Sequence, residues 1–588
     1  MWLTSIRIVF RLLFCAALAA TEDVIKLEPS ASPPKGVSMQ IDPAFAGFGI
    51  EPSNLFSFMG EEKTNNVTLN LLNNLAGYAG KPPHIRIGGN TQDYMIYRES
   101  QSDWAWNKNQ APAGQGAFKP DSMLIGPRFF EAANRFPKGA TVTWGLNLAY
   151  EQSDYIDQIT TMAKQVLSKC SNLTITSFEI GNEPDLYLQN EFQTGSWGGK
   201  VCTQQWLDRA SAIYKQVLQP RNMTSDFFEA AATASTIGYP VSLEHLVNLH
   251  TTEDQFAAWA QQVSQAQQTS YSYALREMGV VGPIGLEGVT DVFGAAIWTL
   301  NFLLYTASLN ITSIGFHMTD NSNASAWQPI AMYGQQPHVR PLYYGIAAFD
   351  QVIGSSCPSQ VSVAQLQPTQ IPSGYQDYIR AYPVYANQTL ASVVIINGKI
   401  ANSTQAQRDT TTVQLQLPPS LAGKALYLSY LSNSGADAKS NTTWNGLSFE
   451  HDPNGTPMTV ADNGHAIQVA SIGIASISLR DSEAVVANIG SKIGGAGSCS
   501  VQSPTSVPNQ PTSSPSPSPS STGAGTPNTK SEARHDHCGP ATGAAIGVFS
   551  MSIALVFGVL MLRGKGLLGV LRIFTTMAFF CILLFGTT

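Results

Sequence analysis

Between Phe45 and about Asp350 the sequence switches repeatedly between short apolar runs and longer stretches with helical periodicity. The strand candidates are Phe45–Ile50, His84–Ile87, Val142–Leu148, Thr174–Ile180, Phe227–Ala232, Tyr271–Glu277 and Ile311–His317. The helix candidates include 65–79, 155–169, 203–218, 253–267 and 291–307. Buried parallel strands read as continuous apolar runs, and parallel neighbours need a crossover helix between them. Some 300 residues of this alternation predict a parallel β/α architecture, and at this length a (β/α)8 barrel. A doubly wound sheet would want a glycine-rich phosphate turn after the first strand, and none follows Ile50.

The remainder of the 588 residues has a different character. Residues 378–385, 390–396, 411–417, 425–431 and 472–479 are short, β-rich and separated by turns, which predicts an all-β sandwich over 355–482. The segment 23–39 adds a candidate strand to it, although it belongs in sequence to the barrel region, 23–354. Residues 483–540 are assigned to a stalk. Its Ser/Pro/Thr-rich part, such as Pro515-Ser516-Pro517-Ser518-Pro519, cannot bury enough apolar surface to fold.

The termini point outside the cell. Residues 1–19 read as a signal peptide closing on Ala17-Leu18-Ala19. Residues 541–588 read as membrane-anchor segments: 542–562 carries no charge and is followed by Arg563 and Lys565, and a second apolar run begins at Leu567. The anchor is a transmembrane span or the signal for a glycolipid anchor. Sequons such as Asn66, Asn172 and Asn222 suit a secreted glycoprotein. Cys170 and Cys202 are a plausible disulfide pair in an oxidising compartment. The net charge of −7 leaves no basic excess to neutralise a phosphate backbone, which argues against a nucleic-acid partner. No cysteine or histidine spacing suggests a metal, and no nucleotide loop suggests a cofactor. The sequence does not address oligomeric state.

In a barrel, chemistry sits at the C-terminal ends of the strands. Glu183 follows the fourth strand in Gly181-Asn182-Glu183-Pro184, and Glu277 closes a later strand in Arg276-Glu277-Met278. A lone rim glutamate is ordinarily a solvated loop charge. Two facing each other across a barrel mouth are what a retaining glycosidase needs, one to protonate the leaving oxygen and one to attack the anomeric carbon. Asn182 beside the acid suits a hydrogen bond to a sugar 2-hydroxyl. Glu51, Asn90, Asn147, His317 and Trp327 are further candidates for a carbohydrate pocket.

The run Ile180–Asp185, with Arg86-Ile87-Gly88-Gly89-Asn90-Thr91-Gln92-Asp93 upstream, resembles glycoside hydrolase family 79, which includes β-glucuronidases and heparanases. Gly288-Val289-Thr290-Asp291 and His338-Val339-Arg340-Pro341-Leu342-Tyr343-Tyr344 carry the same resemblance, over about residues 40–480. It implies a barrel plus β-sandwich, Glu183 as acid/base and Glu277 as nucleophile, with Glu287 the rival nucleophile. The chain departs from the family between Ser235 and Asp254. About 20 residues there must supply a fifth helix and a sixth strand, and no clear counterpart of the family's tyrosine near the nucleophile follows. A catalytically weak carbohydrate-binding protein on the same fold is the alternative reading, and an adhesive surface module a third.

Overall fold

The computed structural model describes residues 24–114, 119–234, 241–282, 284–461 and 465–494, and the backbone of Gly547–Ser550. Seven parallel strands form most of a barrel wall: β1 (Ala46–Ile50), β2 (Ile85–Ile87), β3 (Thr141–Leu146), β4 (Thr174–Ile180), β5 (Phe228–Glu229), β6 (Tyr273–Met278) and β7 (Ile314–Met318). The eighth, β8 (Gly547–Ser550), lies between β5 and β6, pairing Gly547 with Phe228 and Phe549 with Tyr273. It occupies the wall position for which the stretch after Ser235 has too few residues. In place of a helix and a strand, that stretch holds two consecutive helices, α6 (Leu243–Val247) and α7 (Leu249–Ala266).

The strands alternate apolar outward and polar inward, and this alternation assembles the site. Outward, Phe48 meets Trp327 edge-on, Trp144 stacks on Phe130 of α3 (Pro127–Ala133), and Phe316 meets Phe302 of α8 (Phe293–Ser308). Burying each such ring is worth about 2–3 kcal/mol. The remaining helices are α1 (Leu55–Met59), α2 (Asn66–Ala79), α4 (Tyr155–Lys169), α5 (Gly199–Ile213) and α9 (Pro341–Gly354). Their ends are capped as the sequence allows. Asn65 accepts from the Thr68 N–H at the start of α2, Asn248 accepts from the second and third N–H groups of α7, and Pro341 opens α9 where no N–H is needed.

The C-terminal sandwich packs two sheets around its own apolar core, which includes Ile25, Leu27, Val393, Val413, Leu415 and Ile477. Val24–Leu27 pairs in parallel with Thr410–Gln416, so the N-terminal segment does join the sandwich. Its final strand departs from expectation. Glu483–Ile489, assigned from sequence to the stalk, pairs with Thr389–Asn397 on one side and Ala425–Ser432 on the other and is buried almost throughout. Its Glu483 bonds Ser432 and Arg480, so a charged residue opens a core strand. The sandwich also caps the barrel: the carbonyls of Ala436 and Ala438 accept the N–H groups of Gly294 and Phe293 at the start of α8.

One further expectation, the cysteine pairing, is corrected. Cys170 and Cys202 do not pair with each other; Cys170 is a buried thiol whose pKa is pushed up to about 12 by burial, and Cys357 is disulfide-bonded. Gly547–Ser550, inside the apolar run expected to span a bilayer, is a strand of the wall. The rest of that run, the signal segment and the Ser/Pro/Thr-rich stalk lie outside the described residues. Among the described residues no helix is long and apolar enough to cross a membrane.

Asp350 on α9 is fully buried, its Oδ1 has no hydrogen-bond partner, and burial raises its pKa well above the usual 3.8. A carboxyl whose folded pKa is raised lowers stability progressively as the pH rises through and above its unfolded value. Asp350→Asn is therefore expected to raise the thermal unfolding midpoint at pH 7, with the gain shrinking as the pH falls to 4. An equal effect at both pH values would contradict this account.

Candidate active site

The barrel interior is polar and built in layers. In the lower layer Arg276 of β6 grips Glu229 of β5 with two N–H groups at 2.8 Å each. Thr143 and Ser177 add hydroxyl donors to the same carboxylate, and His84 bonds Thr143. Burial opposes the charge on Glu229, but Arg276 outweighs it and brings its pKa down to about 2. The Glu229–Arg276 pair is thus an ion pair of the barrel interior, below the mouth.

Strict alternation would send Glu277 outward if Arg276 points in. A register shift prevents this: between Leu275 and Met278 β6 advances three residues while β7 advances two, from Ile314 to Phe316. Such a bulge re-aims a side chain, and here both Arg276 and Glu277 reach interior partners. Gly315 of β7 makes room for it, since a Cβ there would lie 2.3 Å from the Arg276 carbonyl oxygen.

The upper layer is organised by Arg86 of β2, which is fully buried. Its Nε donates to Glu179 at 2.5 Å, Nη1 to Glu277 at 2.6 Å and Nη2 to the Asn182 side-chain oxygen at 2.7 Å. One planar guanidinium thereby fixes three groups from two strand ends, a geometry an ammonium cannot supply. Removing one partner of such a buried ion pair costs about 3–5 kcal/mol. His317 of β7 stands with Nδ1 3.3 Å from the other Glu277 oxygen. Burial works against the Glu277 charge, but His317 and Arg86 together outweigh it, and its pKa is held below the ordinary 4.5.

Glu183 has the opposite character. Burial, reinforced by the charges of Glu277 and Asp185, raises its pKa to about 8, and its Oε1 has no protein partner. Its backbone is in the left-handed region, at φ 46° and ψ 52°, a conformation costing an ordinary residue roughly 1–2 kcal/mol. The turn is held by the Glu183 N–H donating to Ala232 and by Pro184, whose carbonyl accepts from the Trp197 indole. At neutral pH one carboxyl of this mouth therefore keeps a proton while the other is ionised.

Of the remaining candidates, Asn182, Asn90, Glu51 and His317 converge here. Asn182 donates to the Asn90 side chain at 3.0 Å. Glu51 accepts from the Thr91 backbone N–H at 2.6 Å and from its hydroxyl, and burial raises its pKa. Gly89, at φ 138°, leaves the space Glu51 fills; a Cβ there would lie 2.3 Å from a Glu51 carboxylate oxygen.

Three candidates do not join the mouth. Asn147 spends its side chain on the carbonyls of Met95 and Pro120 and on the N–H of Tyr150, stitching a neighbouring loop. Trp327 is a core residue, fully buried among Phe48, Phe58 and Tyr343 with its indole N–H on Thr68. Glu287, the rival nucleophile, lies exposed on a loop and pairs with Lys439 at 2.9 Å. Arg86 and Asp93 belong to the 86–93 motif, whose letters assign them no role, and nothing local in the sequence marks Glu179 or Tyr94. Tyr94 feels the charges of Asp93, Glu51 and Glu183, although burial is the main cause of its raised pKa.

Comparison with known proteins agrees with this architecture. Residues 381–486 match the glycosyl hydrolase family 79 C-terminal β domain. A β-glucuronidase of Aspergillus niger is 27% identical over 78% of this chain and 93% of its own length. One of Neurospora crassa is 24% identical over 76% and 91%. Among solved structures, a 4-O-α-L-rhamnosyl-β-D-glucuronidase from Fusarium oxysporum 12S superimposes with a TM-score of 0.62 at 18% identity, covering 79% of this chain and all of that one. A family 51 arabinofuranosidase from Xanthomonas axonopodis pv. citri gives 0.51 at 12% identity, over 79% of this chain and all of that one. The C-terminal sandwich is thus similar to the family 79 C-terminal β domain, and the barrel before it shares the fold of these solved glycosidases.

Proposed function

We propose that the protein is a retaining β-glucuronidase acting on glucuronic-acid-containing glycans, with Glu183 as acid/base and Glu277 as nucleophile. The observation that carries the mechanism is the divergence of the two carboxyls: Glu183 is pushed up to about 8 while Glu277 is held low by His317 and Arg86. A proton donor and a charged nucleophile side by side are what a double displacement starts from. In the first step the Glu277 oxygen attacks the anomeric carbon, the glycosidic bond breaks, and the leaving oxygen takes the Glu183 proton. In the second, Glu183 removes a proton from water, which attacks the same carbon and frees Glu277. Arg86 fixes the attacking carboxylate, and Asn182, Asn90, Glu51 and His317 are assigned to the sugar. The substrate class follows the two fungal β-glucuronidases, which align over more than nine-tenths of their own length.

The barrel region, 23–354, and the sandwich after it are proposed as separate domains, with the N-terminal strand Val24–Leu27 contributed to the sandwich. A signal peptide, the Ser/Pro/Thr-rich stalk and the C-terminal apolar segment argue for a folded part outside the cell on a tether. Gly547–Ser550 cannot occupy the barrel wall and a bilayer at once, so detergent phase partitioning decides between them. A tethered protein enters the detergent phase and, truncated before Ser498, the aqueous phase. Aqueous partitioning of the full mature chain would overturn the tether.

Two outcomes test the mechanism. Glu183→Gln is expected to slow hydrolysis of aryl β-glucuronides by roughly two to four orders of magnitude for poor leaving groups, and far less for activated ones. The wild-type kcat/KM should fall above about pH 8, as Glu183 loses its proton, and that limb should be absent in the variant. Equal losses for all leaving groups would refute the acid role. Glu277→Ala is expected to reduce turnover by roughly four to six orders of magnitude. Azide should partly restore it and give a product of inverted configuration; unchanged turnover would exclude Glu277 as nucleophile.

A further inference from the structure

Asp93 lies on the short turn after β2 and is buried. Its carboxylate accepts four hydrogen bonds from two other strand-end loops. Oδ1 takes the backbone N–H groups of Leu148 at 2.8 Å and Ala149 at 3.4 Å, beyond β3. Oδ2 takes the Asn182 N–H at 2.9 Å and the Tyr187 hydroxyl at 2.6 Å, beyond β4. Both oxygens are thus used, and an ionised carboxylate accepts about four such bonds.

The second pair of bonds brackets Glu183. Asn182 precedes it and Tyr187 follows it by four residues, with the left-handed Glu183 backbone between them. A strained turn persists only where its surroundings over-determine it. Here Asp93 grips both ends, while the Glu183 N–H is held separately by Ala232. Tyr187 is itself fixed, stacked on Trp197, whose indole N–H donates to the Pro184 carbonyl. Among the described residues, no hydrogen bond joins the Asp93 carboxylate to Glu183 or Glu277.

We propose that Asp93 is the positioning residue of the acid/base carboxyl: by accepting from Asn182 and Tyr187 it fixes the turn that aims Glu183 at the leaving-group oxygen. The inference rests on the acid/base reading of Glu183. A purely structural Asp93 would hold the three loops together, and its loss would lower activity toward every substrate alike. A positioning residue acts through proton donation, so its loss is felt where the leaving group needs the proton.

The test compares Asp93→Asn, Tyr187→Phe and Glu183→Gln on a series of aryl β-glucuronides spanning leaving-group pKa. A carboxamide presents N–H groups to two donors in place of an acceptor, and phenylalanine removes only the Tyr187 bond. Asp93→Asn is expected to lose at least about tenfold more kcat/KM on the poorest leaving group than on the best. KM for the best should stay near wild type, and Tyr187→Phe should follow the same trend more weakly. If Glu183→Gln shows the leaving-group dependence while Asp93→Asn loses activity uniformly, the inference is overturned and the acid reading stands. If Glu183→Gln itself shows no dependence, the acid reading fails and the inference with it. Should Asp93→Asn not fold, Tyr187→Phe decides alone, and a uniform loss or no loss in that variant overturns the inference.

Discussion

The mouth of the barrel depends on one buried guanidinium. Arg86 holds Glu179, Glu277 and Asn182 from a single plane, bringing together residues 93, 96 and 191 positions away in the chain. Burying one cation among two carboxylates is costly unless each is paired with good geometry. The three short bonds provide that pairing, and Glu179 gains a further donor in the Ala232 N–H. The arrangement also sets the charge state of the site. Arg86 and His317 stabilise the charge on Glu277, and the charge on Glu277 then helps keep the proton on Glu183.

Backbone irregularities aim the two carboxyls of the mouth. The shift in β6 turns Glu277 inward beside Arg276, and Gly315 leaves the space for it. The left-handed turn at Glu183 puts the other carboxyl at the end of β4. Neither conformation is locally preferred, and each is held by neighbours from other strands. The lower layer, with Glu229 clamped by Arg276, gives this geometry a rigid floor. The polar interior thus changes with depth: a saturated ion pair lies below, while above it a carboxyl oxygen of Glu183 stays without a protein partner at the mouth.

Much of this was legible in the sequence because it is local. The strand and helix alternation follows from periodicity, and Gly181-Asn182-Glu183-Pro184 marks a strand end by its turn residues alone. The rest depended on contacts across the chain. Asn147 occupies a strand-end position but is captured by the loop that carries Met95 and Pro120. Trp327 follows a strand, yet the rings of Phe48, Phe58 and Tyr343 draw it into the core. Glu483 masked a core strand because its partners Ser432 and Arg480 come from other strands. Arg86 and Asp93 were visible as motif letters, but an arginine or aspartate in a motif does not reveal which side chains it will bind. The stretch after Ser235 offers about 20 residues for a helix and a strand, and its described part is helical. That the wall position would be taken by Gly547–Ser550 had no local signal.

The central claim is that two carboxyls of opposite charge state perform a double displacement, with Glu277 forming the covalent bond to the sugar. The most direct measurement is trapping the glycosyl-enzyme with an activated 2-fluoro glucuronide and mapping the modified peptide by mass spectrometry. The account predicts a single label on Glu277, with its formation abolished in Glu277→Ala. A label on Glu287 or any other residue, or an enzyme that turns over glucuronides yet accumulates no covalent adduct, would contradict it.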